Sequence, residues 1–190
     1  MKNLILVSAL LLLTAVGCKK NDPVRIYQEE NPLSSYIVNT GFNQASSNFI
    51  NAGNYEFGLE FTPMVKGQIK AITFKIPAPA TNVRVTIWDA TAKTVLRTET
   101  IPTVLANTEV KQDITPLALE KDKKYFISYN GSSWYKRNKS DGSKAVYPII
   151  AGNIKITNYN WLYGEAQTFP TTVSSDYYAG DLSFIFQQAD

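Results

Sequence analysis

Histidine is absent from this 190-residue sequence, and cysteine occurs once. The first absence removes Ser-His-Asp and Cys-His catalysis, a neutral-pH imidazole base and the usual zinc sites together. The second removes any disulfide within the chain. No glycine-rich phosphate loop or dinucleotide fingerprint is present, so nucleotide chemistry has no support. The longest apolar run, Leu4 to Leu13, falls well short of the ~20 residues that a membrane-spanning helix needs. Charge is also scarce, at 18% of residues, with a formal net charge of +3. Taking Lys2, Lys19 and Lys20 from the 19 basic side chains leaves 16, against 16 acidic ones. The remainder is balanced and offers no broad basic surface for phosphate neutralisation, so no nucleic-acid partner is expected.

What the chain does contain is aromatic and alternating. Phe57, Leu59 and Phe61 alternate with more polar neighbours, as do Ile72, Phe74 and Ile76, then Val83, Val85 and Ile87. A period of two places each set on one face of a half-buried strand. Thr62-Pro63, Lys66-Gly67, Pro77-Ala78-Pro79 and Asp89 to Lys93 interrupt these runs with turn chemistry. Further strands are expected at Val95–Thr100, Val110–Leu117, Tyr125–Tyr129, Ala145–Ile150, Asn153–Thr157 and Asp181–Phe186. Tyr36-Ile37-Val38 reads as a first edge strand followed by a turn at Asn39-Thr40-Gly41, and Asn43–Asn54 as a loop. The expected core comprises the nine apolar residues just named together with Phe126, Leu182, Phe184 and Phe186. Many short strands between turns predict an all-β fold, an antiparallel β-sandwich of jelly-roll or immunoglobulin-like kind.

The first 17 residues read as an export signal, with Lys2 as the positive region and small residues after the apolar stretch. Ala15-Val16-Gly17-Cys18 resembles a bacterial lipobox, in which the cysteine after the cleavage site is acylated. An unpaired thiol on an exported chain is thereby explained, and Cys18 is the expected lipid anchor. One acyl chain binds membranes only marginally, whereas several hold stably. Lys19 stands where an aspartate would resemble an inner-membrane retention signal, so the expected address is the outer membrane, on its periplasmic or cell-surface face. Residues 18–35, with Pro23 and Pro32, read as the lipidated cysteine and a polar tether, and residues 36–190 as one β-sandwich domain.

Three stretches carry a family resemblance: Glu56 to Phe61, Gly67 to Phe74 and Val83 to Asp89. Leu119 to Tyr129 looks like the same family's strand after a charged turn, and Tyr178 to Phe186 like its closing strand. Together they resemble an uncharacterised sandwich domain of exported bacterial proteins. The resemblance implies a β-sandwich that accompanies carbohydrate-active or adhesive proteins, and it brings no active site to carry over.

A carboxylate pair could hydrolyse a glycoside without histidine, and Glu56, Glu60, Asp89, Asp141, Glu165, Asp176 and Asp181 are the candidates. Their spacing singles out no pair, and solvated faces and turns account for them, so no catalytic residue is expected. Asp and Asn oxygens lack the calcium-loop spacing, and neither a metal nor a cofactor is expected. The aromatics Trp134, Tyr135, Tyr159, Trp161, Tyr163, Tyr177 and Tyr178 fall in or beside expected loops. Flat rings stack on the C–H faces of sugars, and polar neighbours orient hydroxyls. The expected ligand-binding residues are Trp134, Tyr135, Lys136, Arg137, Asn158, Asn160, Trp161 and Tyr163. The leading expectation is a surface-anchored, non-catalytic domain that binds a glycan or other extracellular polymer. The alternative is a structural or accessory subunit that meets an outer-membrane or fimbrial protein through a sheet edge or apolar patch.

Overall fold

The computed structural model describes residues 25–190; the signal, Cys18 and the first part of the expected tether lie outside the described residues. In chain order the elements are β1 (Glu29–Glu30), α1 (Pro32–Thr40), β2 (Ala45–Pro63), β3 (Gly67–Lys75), β4 (Ala80–Asp89), β5 (Thr94–Val104) and β6 (Val110–Leu119). Then follow β7 (Tyr125–Asn138), β8 (Ile149–Ala151), β9 (Ile154–Tyr163), β10 (Thr172–Ser174), β11 (Tyr178–Ala179) and β12 (Asp181–Gln188). One sheet has the order β1-β12-β3-β6, and the larger one β10-β9-β2-β7-β4-β5, with β11 on β7 and β8 on β9. Among the described residues these strands pair antiparallel throughout. This is an all-β sandwich.

The alternating runs form the strands they predict. Pro63 ends β2, Pro77 and Pro79 separate β3 from β4, and the Asp89 carboxylate closes the β4–β5 hairpin by accepting the backbone N–H groups of Thr91 and Ala92 at 3.0 and 2.9 Å. The Ala92 bond is the leading cause that holds this carboxyl below the usual aspartate range. Between the sheets, the Phe61 and Phe184 rings meet at 4.6 Å, and Phe74 and Tyr129 at 4.5 Å. Phe57, Leu59, Ile72, Ile76, Val83, Val85, Ile87, Leu182 and Phe186 bury in the same cluster. Phe126 does not. It is buried, but with Trp88, Ala90 and Phe169 on the outer face of the larger sheet, because it alternates with Tyr125 and Ile127, which face the core.

Residues 32–40 form a helix, not the expected edge strand and turn. Asn31 caps it by accepting the Leu33 N–H, Pro32 begins it, and Gly41 ends it at φ 78° with its N–H on the Val38 carbonyl. The same Asn31 side chain donates to Thr73 and accepts from Ser183, which fastens the helix start to β3 and β12. Tyr36 then lies between the sheets, edge-on to Tyr178 at 5.2 Å. Glu30 accepts both the backbone and side-chain N–H groups of Asn153. The folded unit therefore includes residues 29–35, which the sequence reading assigns to the tether.

The open end of the larger sheet also differs from what the sequence predicts. Asn43–Asn54 is mostly strand: Ala45 to Ile50 pair with Asn138 to Ser133, and Tyr55 resumes pairing at Gly131. Residues between Ile50 and Tyr55 bulge out, with Gly53 at φ 85° under the Tyr163 ring. A side chain there would strain the backbone, and its Cβ would lie 3.0 Å from that ring. The Trp134–Lys139 segment, expected as a loop excursion, continues β7 through Asn138. Asn, Ser and Gly are poor strand formers alone; here they gain a long partner strand.

Candidate functional site

The extended ends of β2, β7 and β9 bring aromatic residues together. Phe57 pairs with Trp161 and Tyr55 with Tyr163, so alternation places Tyr159, Trp161 and Tyr163 beside the odd-numbered side chains of β2. On β7 the irregularity opposite Ile50 and Tyr55 shifts the phase. Even-numbered Trp134 and Lys136 consequently continue the face that Ile127 and Tyr129 occupy farther down the strand.

These side chains wall a cleft of about 170 Å³, lined by Phe49, Tyr55, Phe57, Trp134, Lys136, Tyr159, Trp161, Tyr177 and Ala179. Phe49 stacks on Trp134 with centroids 5.5 Å apart and planes 6° from parallel. Tyr55 stands edge-on to Trp134 at 5.2 Å, Trp161 at 5.9 Å and Tyr163 at 5.2 Å. Such mutually edged rings hold one another in place, so little side-chain freedom remains to be lost when a ligand enters. Lys136 holds its ammonium 4.4 Å above the Tyr177 ring centroid and 5.9 Å from that of Phe49. Burial is the leading cause that raises the Tyr177 hydroxyl above its ordinary pKa, and it raises the fully buried Tyr159 much further. Both phenols are neutral at physiological pH.

Of the eight expected binding residues, Trp134, Lys136 and Trp161 line the cleft, and Tyr163 stands at its rim against Tyr55, 67% exposed. The other four do not line it. Tyr135 donates to Asn107, and Arg137 makes a two-pronged ion pair with Asp181 at 2.7 and 2.6 Å. Asn158 reaches Glu60, and buried Asn160 donates to the Pro170 carbonyl. Immediate neighbours in a strand point to opposite faces, which is why Tyr135, Arg137, Asn158 and Asn160 separate from Trp134, Lys136 and Trp161. Phe49, Tyr55, Phe57 and Ala179 join the site unforeseen. The signal for Phe49 and Tyr55 was their even spacing with Phe57, hidden by the loop-like composition around them.

The candidate carboxylates are engaged elsewhere. Glu56 is buried on the outer face, where it accepts from Ser128 at 2.6 Å and Arg84 at 2.7 Å, while the Trp88 indole donates to Ser128 at 2.8 Å. Glu60 takes Thr157, Glu165 takes Asn54, and Asp141 caps the Ser143 N–H. Asp176 accepts from Ser174, the leading cause of its lowered pKa. Among the described residues, no acid lines the aromatic cleft. A more polar groove of about 290 Å³ lies between residues 78–83 and 129–133. Two of its amides are already committed, Asn54 to Glu165 and Asn130 to the Gly164 carbonyl.

A family model described as a domain of unknown function, DUF4082, matches residues 40–179. The chain belongs to that family. The match begins at the end of α1 and reaches β11, so it spans every strand that contributes to the cleft. No curated protein matches this DUF4082 chain significantly.

Proposed function

We propose that this DUF4082 protein is an exported lipoprotein, anchored in the outer membrane by acyl chains on Cys18, whose sandwich domain binds a glycan or other extracellular polymer without altering it chemically. The observation that carries the binding half is the convergence of Trp134 and Trp161. They belong to strands separated by a long connection, yet wall one cleft with Tyr55 and Tyr159. Partly exposed rings of this kind stack on sugar faces, and the lining offers no acid pair for glycosidic hydrolysis. The anchoring half rests on the lipobox-like Ala15 to Cys18 and the lone cysteine.

An assembly role through sheet edges has less to support it. Edge strands β5 and β6 are tied to each other by Gln112 donating to the Thr100 carbonyl and Arg97 to the Thr115 carbonyl. The opposite edges, β1 and β10, are two and three residues long. Short or occupied edges template few further strands.

A glycan screen with the purified protein tests the binding half. Trp161→Ala is expected to abolish the signal while the variant stays folded: the ring is only partly buried, packed against the margin of the core and edge-on to Tyr55, so its loss should cost less than the ~3–5 kcal/mol of a fully buried aromatic. Equal loss of stability and binding would remove Trp161 from the proposed site. For the anchor, Cys18→Ala should eliminate incorporation of a fatty-acid probe; unchanged labelling would refute it.

A further inference from the structure

We infer that the cleft takes a single sugar ring bearing an anionic group, a uronic-acid type of residue, and that Lys136 selects it. The inference rests on the glycan reading proposed above. Size gives the first step. A cavity of roughly 150 Å³ holds one benzene-sized molecule, so a cleft of about 170 Å³ accommodates one six-membered ring and not a run of them. The cleft therefore reads one sugar residue of the ligand.

Charge gives the second step. Among the described residues Lys136 is the one charged side chain in the lining, and it makes no ion pair with any of them. Its ammonium rests against the Tyr177 and Phe49 rings, whose faces attract a cation but accept no conventional hydrogen bond from it, so its N–H donors remain available to an oxygen anion. Asp176 feels the charge of Lys136, but it also feels Lys144, already accepts from Ser174 and stands outside the lining. An aromatic enclosure without Lys136 would suit a quaternary ammonium ligand; a fixed positive charge within it repels one. A neutral sugar would keep the ring stacking but leave the ammonium without an anionic partner. A carboxylate on the ring supplies both contacts at once.

The test is equilibrium binding of matched methyl glycosides in the gluco, galacto and manno series, each as the neutral sugar and as its uronate. At least one uronate should bind about tenfold tighter than its neutral counterpart, the contribution of one hydrogen bond to a charged group. That preference should shrink as salt rises, disappear in Lys136→Met and persist in Lys136→Arg, with unfolding curves recorded for both variants. If neutral sugars bind as tightly as the uronates, or if the preference survives in a folded Lys136→Met protein, the inference is overturned while the glycan reading stands. If no member of any series binds, the inference falls; if the glycan screen is blank as well, the glycan reading falls with it. The comparison of uronate with neutral sugar needs no mutant, so it decides the matter even if Lys136→Met does not fold.

Discussion

Phe57 and Phe49 lie on one strand and one face of it, yet Phe57 is 2% exposed and Phe49 37%. The difference between them is what lies opposite. Around Phe57 to Phe61 the smaller sheet covers the larger one, and Phe184 and Phe74 interlock with Phe61 and Tyr129. Beyond the bulge after Ile50, the β2–β7 ladder continues and its aromatics contact one another across a cleft. The same alternation thus builds a core where a second layer is present and an aromatic cleft where it is not. Burial of an aromatic residue in this fold is decided by sheet coverage more than by its position in the pattern.

Substitutions in the covered half should have the largest effects. Phe61→Ala should cost about 3–5 kcal/mol in denaturant unfolding, because the sheets cannot close on the space left behind. An effect below 1 kcal/mol would show that the two layers do not interlock there. Arg84→Ala attacks the outer face of the same sheet by leaving buried Glu56 without its cation, and a loss of about 3–5 kcal/mol is expected for breaking a buried pair. The exposed part of the guanidinium places the result toward the lower end. Replacing both residues together, Arg84→Met with Glu56→Gln, should recover part of that loss; no recovery would argue against an electrostatic origin.

How much of this was legible from sequence follows the same division. In the covered half, Phe57 to Phe61, Ile72 to Ile76 and Val83 to Ile87 alternate without interruption, and a period of two suffices to give strand, face and sandwich. In the uncovered half, Asn48, Asn51, Gly53 and Asn54 dilute the pattern, so a strand of 19 residues reads as a loop followed by a strand. The phase shift in β7 has no local marker stronger than Gly131-Ser132-Ser133. Trp134 and Trp161 could be nominated by their chemistry, but which of their polar neighbours accompany them depends on strand parity, and only Lys136 does. The helix did carry its own signals, Asn31-Pro32 at one end and Gly41 at the other; the β-branched Ile37-Val38 between them favoured the strand reading.

Smaller effects sharpen the boundary between core and cleft. Asn31→Ala removes the α1 cap and the contacts to Thr73 and Ser183, and should cost about 1–2 kcal/mol without changing glycan binding, because α1 lies outside the cleft lining. A binding defect larger than the stability change would link the helix to the site. Tyrosine ionisation offers a further readout. Burial holds Tyr129, Tyr159 and Tyr178 well above the ordinary phenol pKa in the folded protein, whereas in the unfolded chain they titrate at about 10. Their folded values are the higher ones, so this contribution is fully present below about pH 10 and stability falls as pH rises beyond it. Spectroscopic titration should show these three phenols ionising only with unfolding; early, reversible ionisation of the full tyrosine complement would contradict their burial.

The proposed contact surface for a ligand is formed by the aromatic residues beyond the smaller sheet. Acrylamide quenching of tryptophan fluorescence, with and without a glycan that binds, addresses it directly. Trp88 is 2% exposed and largely shielded from the quencher, so the signal reports mainly on Trp134 and Trp161 in the cleft. The predicted result is saturable protection of these two tryptophans at the glycan concentration that half-fills the site. Saturable binding that leaves them as accessible as before would place the ligand elsewhere and contradict the account.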